Sequence, residues 1–268
     1  MKKTGIIIIG TALITALSFS ACGKAPETET TTAASAISGD VVYLQSKYVL
    51  TATNDNIESS SSVYKYDEQG NLLMTVYYDK DEKMTGWDTD YTYDDNGNEL
   101  VHVQYDADGN AYGFVSREYD ENQKVKRYTT YSISGEIITD TTYEYTYDAN
   151  NNMILMACFD ENGKHVQDNE YDEHGKVTKQ TYYLENNSTA VYEYDNEYDA
   201  NGNNIATSIY VRFNPNEDRQ LDSRNEMTYD SHNNMIKLVH YNKTGKTDFY
   251  YEIEYFEFAL PAKKQHKG

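Results

Sequence analysis

Apolar and polar positions alternate with a period of two along most of this chain. From Ile137 to Tyr147 one face holds Ile137, Thr139, Thr141, Tyr143, Tyr145 and Tyr147, and the other Glu136, Asp140, Thr142 and Glu144. Phe249, Tyr251, Ile253 and Tyr255 alternate with Tyr250, Glu252 and Glu254. Between Thr85 and Tyr93 the same reading puts Trp87, Tyr91 and Tyr93 on one side and Asp88 and Asp90 on the other. Alternation of this kind marks antiparallel strands buried on one face. No window carries a sustained helical stripe, so helices are not expected.

Turns of fixed chemistry separate the strands. The stretch Tyr91-Thr92-Tyr93-Asp94-Asp95-Asn96-Gly97-Asn98 is one copy of a unit built on a Tyr-Asp pair. Copies carry Tyr66, Asp67 and Gly70; Tyr93, Asp94 and Gly97; Tyr119 and Asp120; and Tyr147 and Asp148. The series continues with Tyr171, Asp172 and Gly175; Tyr198, Asp199 and Gly202; and Tyr229 and Asp230. Their spacings of 24 to 31 residues identify a repeat array. Twelve residues after each of these tyrosines stands a second aromatic: Tyr78, Tyr105, Tyr131, Phe159, Tyr183, Tyr210 and Tyr241. A second Asp-x-x-Gly-like turn follows most of them. Asp accepts hydrogen bonds from the backbone two residues on, and Gly supplies the left-handed residue that closes the turn. Asn151, Asn187 and Asn233 replace Gly with the residue that best tolerates that conformation. Glu82 and Gln123 depart from the rule, and their turns are expected to be the least well formed.

These signals predict an all-β repeat array of antiparallel hairpins, a meander of about 15 strands. It occupies residues 41–258, with a starting strand over Val41 to Thr53 and seven repeats of about 27 residues from about Val63. Sheets beyond about ten strands curl or split. The expectation is therefore a long sheet coiled round its tyrosine face, with a flat single layer as the second choice.

Composition refines this picture. Tyr appears 28 times against 7 Phe and 1 Trp, so nearly every large ring carries a hydroxyl. Only 38% of residues are hydrophobic, yet the chain is rich in aromatic and β-branched residues, unlike disordered sequences. A folded domain with a core of amphipathic rings is implied.

The first residues read as a processing signal. Lys2 and Lys3 precede an apolar run from Gly5 to Phe19, and small Ser20 and Ala21 precede Cys22. The run is shorter than the ~20 residues a spanning helix needs. The pattern resembles the lipobox of bacterial lipoproteins, with Phe19 where Leu is usual. That resemblance implies removal of residues 1–21, lipidation of Cys22, and export to the outer side of a bacterial cell membrane. Residues 22–40 then form a flexible tether, and 259–268 a basic tail.

The formal charge is −21, and −23 once Lys2 and Lys3 are removed. Such a field opposes nucleic acid and anionic membrane surfaces, and favours cations or basic partners. Cys158 is left as the one free thiol, so no intramolecular disulfide is available, and it reads as a small apolar strand residue.

The Tyr-Asp-x-x-Gly pattern, over about Val63 to Phe258, resembles the YD repeats of the RHS and teneurin families. The resemblance implies hairpins spiralling into a sheet-walled shell and a role in surface display and binding. The toxin-capsule function of large family members is not implied, because Pro26, Pro215 and Pro261 lie in no Asp-Pro cleavage motif.

Candidate chemistry is sparse. The carboxylates sit at turn registers or on outer faces, and the histidines at 102, 165, 174, 232, 240 and 266 show no ligand spacing. The sequence offers no nucleophile motif and no cofactor motif. The Asp106–Asn110 and Asp94–Asn98 loops resemble the start of a calcium loop, but the closing Glu is missing, since position twelve from Asp106 is Arg117. Weak calcium binding to the acidic face is the most these residues suggest. The expected function is a non-enzymatic binding or scaffold module at the cell surface, with a protein or glycan ligand. The alternative is a polysaccharide- or cell-wall-binding module that uses exposed tyrosines.

Overall fold

The computed structural model describes residues 41–54, 57–185, 188–213 and 217–259. The expected leader, Cys22, the tether, Asn187 and the tail from Leu260 lie outside the described residues. Sixteen strands follow one another: β1 Val41–Ala52, β2 Ser60–Tyr66, β3 Leu72–Asp79, β4 Met84–Tyr93, β5 Glu99–Asp106, β6 Ala111–Tyr119, β7 Val125–Ser132 and β8 Ile137–Tyr147. The second half comprises β9 Met153–Phe159, β10 His165–Tyr171, β11 Val177–Tyr183, β12 Thr189–Tyr198, β13 Asn204–Arg212, β14 Gln220–Tyr229, β15 Met235–Asn242 and β16 Thr247–Ala259.

Every strand pairs antiparallel with its sequence neighbours, as the alternation predicts. The sheet does not remain open. β1 pairs with β16 from Val41↔Ala259 to Ala52↔Phe249, and the meander closes into a barrel. The coiled open sheet, the flat layer and the spiral shell implied by YD repeats are all corrected by this closure. A wide twisted sheet has two unpaired edges, and pairing them removes both. The seam is the longest ladder because β1 and β16 are the longest strands, at 12 and 13 residues.

The turns take the expected form. Asp94 N–H donates to the Asn98 carbonyl at 2.9 Å, and Gly97 N–H to the Asp94 carbonyl at 3.0 Å. Gly97 has φ 83°, and Asn151 and Asn233 adopt 66° and 62° in its place. Glu82 and Gln123 do the same at 58° and 61°, with the same pair of backbone bonds, so their turns are as well formed as the rest. The turn carboxylate explains why. Asp120 Oδ1 accepts from Asn122 and Lys124 N–H at 2.9 and 2.7 Å, and these bonds offset the cost of a left-handed Gln123.

The inner face holds the tyrosines of the Tyr-Asp units, while the second set of aromatics points outwards. Phe249, Tyr251 and Ile253 are buried while Glu252 and Glu254 are exposed. In β4 the face assignment read from sequence fails. Asp90 has φ 57°, and the β4–β5 register shifts between Thr89 and Thr92. This bulge reverses parity, so Asp88 shares the inner face with Tyr91 and Tyr93, and Trp87 stacks outside on Tyr105.

Candidate functional site

The meander places alternate turns on two rims. The first rim carries the seven Tyr-Asp turns, 67–71, 94–98, 120–124, 148–152, 172–176, 199–203 and 230–234. β1 starts there and β16 ends there. The second rim carries five turns of similar form, at 79–83, 106–110, 132–136, 160–164 and 242–246, and three connections that depart from it, 53–59, 184–188 and 213–219.

The Tyr-Asp residues are thus distributed round one rim and do not converge on a site. Each aspartate builds its own turn. Asp94 Oδ1 accepts from Asn96 and Asn98 N–H, and Oδ2 from the Asn98 amide at 2.9 Å. Asp67, Asp148, Asp199 and Asp230 repeat the arrangement. These donors hold the Asp94, Asp148 and Asp199 carboxyls below their ordinary range; at Asp67 and Asp230 burial pulls the other way but the same donors prevail. A calcium ion would have to displace those donors, and among the described residues no three metal-ligating side chains converge.

Four of the seven tyrosines clamp the open end of the hairpin before them. Tyr66 donates to the Gln45 carbonyl at 2.8 Å, Tyr93 to Leu72 at 2.6 Å, Tyr119 to Glu99 at 2.7 Å and Tyr229 to Asn204 at 2.9 Å. In the fourth unit Tyr145 does this in place of Tyr147, reaching the Val125 carbonyl at 2.7 Å. Tyr171 instead approaches Met156 Sδ, and Tyr198 donates to the turn carboxylate of Asp172. The bonds explain why the rings are Tyr and not Phe. Burial pushes these phenols up, Tyr66 to about 12.

The inner face also carries a charged cluster that the sequence reading missed. Tyr77 donates to Asp88 Oδ2 at 2.5 Å, and His102 Nε2 lies 3.6 Å from the same oxygen. His102 Nδ1 is 2.6 Å from Glu99, which also pairs with Arg117. Tyr91 packs on His102 at 5.1 Å, and Arg117 lies 5.4 Å from the Tyr128 ring. Asp88 and His102 are only 5% and 6% exposed, and Asp88 Oδ1 has no hydrogen-bond partner. Burial raises the Asp88 carboxyl above its ordinary value, against the pull of Tyr77 and His102. Burial would also raise Glu99, but His102 and Arg117 outweigh it and hold that carboxyl low. Parity through the Asp90 bulge was the missing signal. Further round the barrel, on β10 to β12, the lining carries amides: Gln167 and Gln180 both donate to Asn169, and Tyr194 donates to Gln180. Cys158 is buried beside them, its thiol pushed up to about 11 by burial, which suppresses the reactive thiolate.

The outer wall is different. The second set of aromatics lies there, near the second rim, in pairs: Trp87 on Tyr105 at 5.3 Å, Phe114 on Tyr131 at 4.5 Å, and His165 between Phe159 and Tyr183. Charged side chains fill much of the remaining outer surface, among them Arg219 bidentate on Asp195 and Arg224 bridging Glu197 and Glu226. A barrel spanning a bilayer needs a continuous outward apolar band ~25 Å tall, which this charged wall does not supply.

No family model matches the chain, and no curated protein matches it. The YD-repeat assignment is therefore withdrawn with the open architecture it implied. Among solved structures, a porin-like protein from Bacteroides uniformis is similar at 9% identity and TM-score 0.48, over 79% of this chain and 98% of that one. The TcdB2–TccC3–Cdc42 complex and TcdB2–TccC3 without its hypervariable C-terminal region are similar at 14% and 13% identity. Both give TM-score 0.26 over 75% of this chain and 15% of theirs. Likeness at this level adds nothing to what the sheet itself displays.

Proposed function

We propose that the barrel is an exported, lipid-anchored, non-enzymatic binding module that turns its first rim towards the membrane and presents its second rim to a ligand at the cell surface. The asymmetry of the rims supports this reading. The first rim repeats one turn seven times and receives both ends of the described chain, so a tether to Cys22 joins there. The second rim holds the connections that differ in length, 53–59 and 213–219, and the turn opened by Leu184, and binding residues concentrate on loops that a rigid scaffold positions. The inner charged cluster supports the non-enzymatic part, because Asp88 and His102 are buried and engaged with Tyr77, Glu99 and Arg117.

The ligand class we favour is a glycan, on the strength of the Trp87–Tyr105 and Phe114–Tyr131 pairs beside that rim. The test is to replace 53–59, 184–188 and 213–219 by Asp-x-x-Gly-Asn turns and assay the protein on a glycan array and on isolated cell wall. Binding is expected to fall at least tenfold, with equal unfolding curves. Unchanged binding, or no binding by the parent, overturns the reading. Labelled palmitate uptake that is lost in Cys22→Ser tests the anchor separately.

A further inference from the structure

The turn at 132–136 differs from its counterparts on the second rim. Its second residue is Ile133, where the turns at 79–83, 106–110, 160–164 and 242–246 place Lys80, Ala107, Glu161 and Lys243. The turn is shaped without it: Gly135 takes φ 87°, and its N–H donates to the Ser132 carbonyl at 2.9 Å. The strand that follows opens with Ile137 and Ile138, and neither is covered. Ile133, Ile137 and Ile138 are 59%, 55% and 63% exposed, and Tyr112 on β6 is 53% exposed.

The backbone joins these side chains into one patch. Ile133 N–H donates to the Tyr112 carbonyl at 3.1 Å, which ties the turn to the neighbouring hairpin. Ile137 pairs with Tyr131, whose ring stacks on Phe114, and a register shift between Thr130 and Tyr131 leaves Ile138 as an unpaired bulge. Elsewhere on the wall Leu73, Ile154 and Ile205 are exposed one to a strand. Single apolar side chains are ordinary on a surface, whereas a contiguous group marks an interaction site.

Charge selects the partner. The flanking turns carry Asp106, Asp108, Asp160 and Glu161 against one cation, Lys164, and the turn of the patch adds Glu136. Asp108 and Glu136 are both exposed. A second copy of this chain, with its own charge of −21, would be repelled. An apolar centre bordered by carboxylates complements a cationic polypeptide that brings an aliphatic or aromatic anchor.

We propose that Tyr112, Ile133, Ile137 and Ile138 form a docking surface for a cationic polypeptide segment. Its apolar side chain is seated among the isoleucines, and its Lys or Arg side chains meet Asp108 and Glu136. The surface lies on β6 to β8, apart from the connections 53–59, 184–188 and 213–219, so it stands independently of the glycan reading.

The purified protein is panned against phage-displayed random peptides, and the most enriched sequence is synthesised as the probe. Enrichment is expected for peptides that place Lys or Arg beside Leu, Ile, Phe or Trp. The affinity of the synthetic peptide, measured by titration calorimetry, is expected to fall about tenfold or more in Ile133→Ser/Ile138→Ser. In Asp108→Asn/Glu136→Gln it should fall about threefold, and it should weaken as salt rises. Leu73→Ser, at the first rim, is expected to bind like the parent. All five positions are exposed, and a urea midpoint equal to that of the parent shows that each variant folds; Ile133→Ser alone, at the turn tip, replaces the double variant if that one does not. Absence of enrichment, an enriched peptide without cations, or equal binding by the isoleucine variant overturns the inference. So does a concentration-dependent dimer of the parent that the same variant abolishes, which would give the patch to a second copy.

Discussion

The two rims are made from the same hairpin, yet they are held by different means. At the first rim a half-buried tyrosine in four of the units ties its strand to the one before it, and in most units an aspartate with both oxygens engaged shapes the turn that follows. At the second rim the aromatic lies outside, and its hydroxyl meets a surface carboxylate, as Tyr105 meets Asp90 at 3.1 Å. Turn residues there include Ser132, Asn242 and Leu184 in the aspartate's place. A rim locked from inside can tolerate little variation. A rim whose rings face outwards can vary its loops without disturbing the lining, and it is the one that does.

The sharpest test of this contrast compares hydroxyl deletions. Tyr119→Phe strands the part-buried Glu99 carbonyl and is expected to cost about 1–3 kcal/mol in denaturant unfolding, whereas Tyr105→Phe should leave the midpoint within error of the parent. Equal losses would dissolve the distinction. Turn deletions come next: Asp94→Ala, which removes the acceptor for Asn96 and Asn98, is expected to lower the unfolding midpoint clearly, and Ser132→Ala, which forfeits the bonds to Glu136 N–H and Ser134 Oγ, less.

Acid should separate the rim from the lining. The turn aspartates have depressed folded values, so their contribution is complete above the unfolded carboxyl value near ~4 and is lost as pH falls through the folded one. Asp88 has the opposite sign. Its folded value is raised, so its penalty grows as pH climbs from ~4 through that value and is complete above it. Asp88→Asn is therefore expected to raise Tm at pH 7 and to do nothing below pH ~4, by scanning calorimetry. A destabilised variant at neutral pH would mean that the Tyr77 and His102 contacts outweigh burial. The smallest effect belongs to the left-handed turn position, where Gln123→Gly is expected to gain about 0.5 kcal/mol by relieving φ 61°.

Strands and turns were legible because their causes are local. Val41 to Thr53 was readable as a strand from its own side chains, and the left-handed Asn151 and Asn233 from turn chemistry alone. Closure was not, because Val41 meets Ala259 across nearly the whole domain and no local pattern encodes that register. Nor was the inner cluster. Asp88 lies next to outward-facing Trp87, and only the left-handed bulge at Asp90 brings Asp88 to the side of Tyr91; Asp tolerates that conformation, but no turn chemistry around it announces a bulge within the strand. Misjudging Glu82 and Gln123 had a similar root: the reading weighed the residue that adopts the strained angle and ignored the aspartate bonds that enforce it.

The seam also bears on how the chain is made and exported. In any process that delivers the N-terminus first, β1 is the earliest strand to emerge and its main partner the last. Throughout that interval β1 has only the four-residue ladder with β2 to hold it. A product cut short anywhere before Thr247 can form every hairpin up to the break and still carry two open edges, a ready target for surveillance proteases. Closing the barrel thus depends on β16, the only strand among the described residues that covers the free edge of β1.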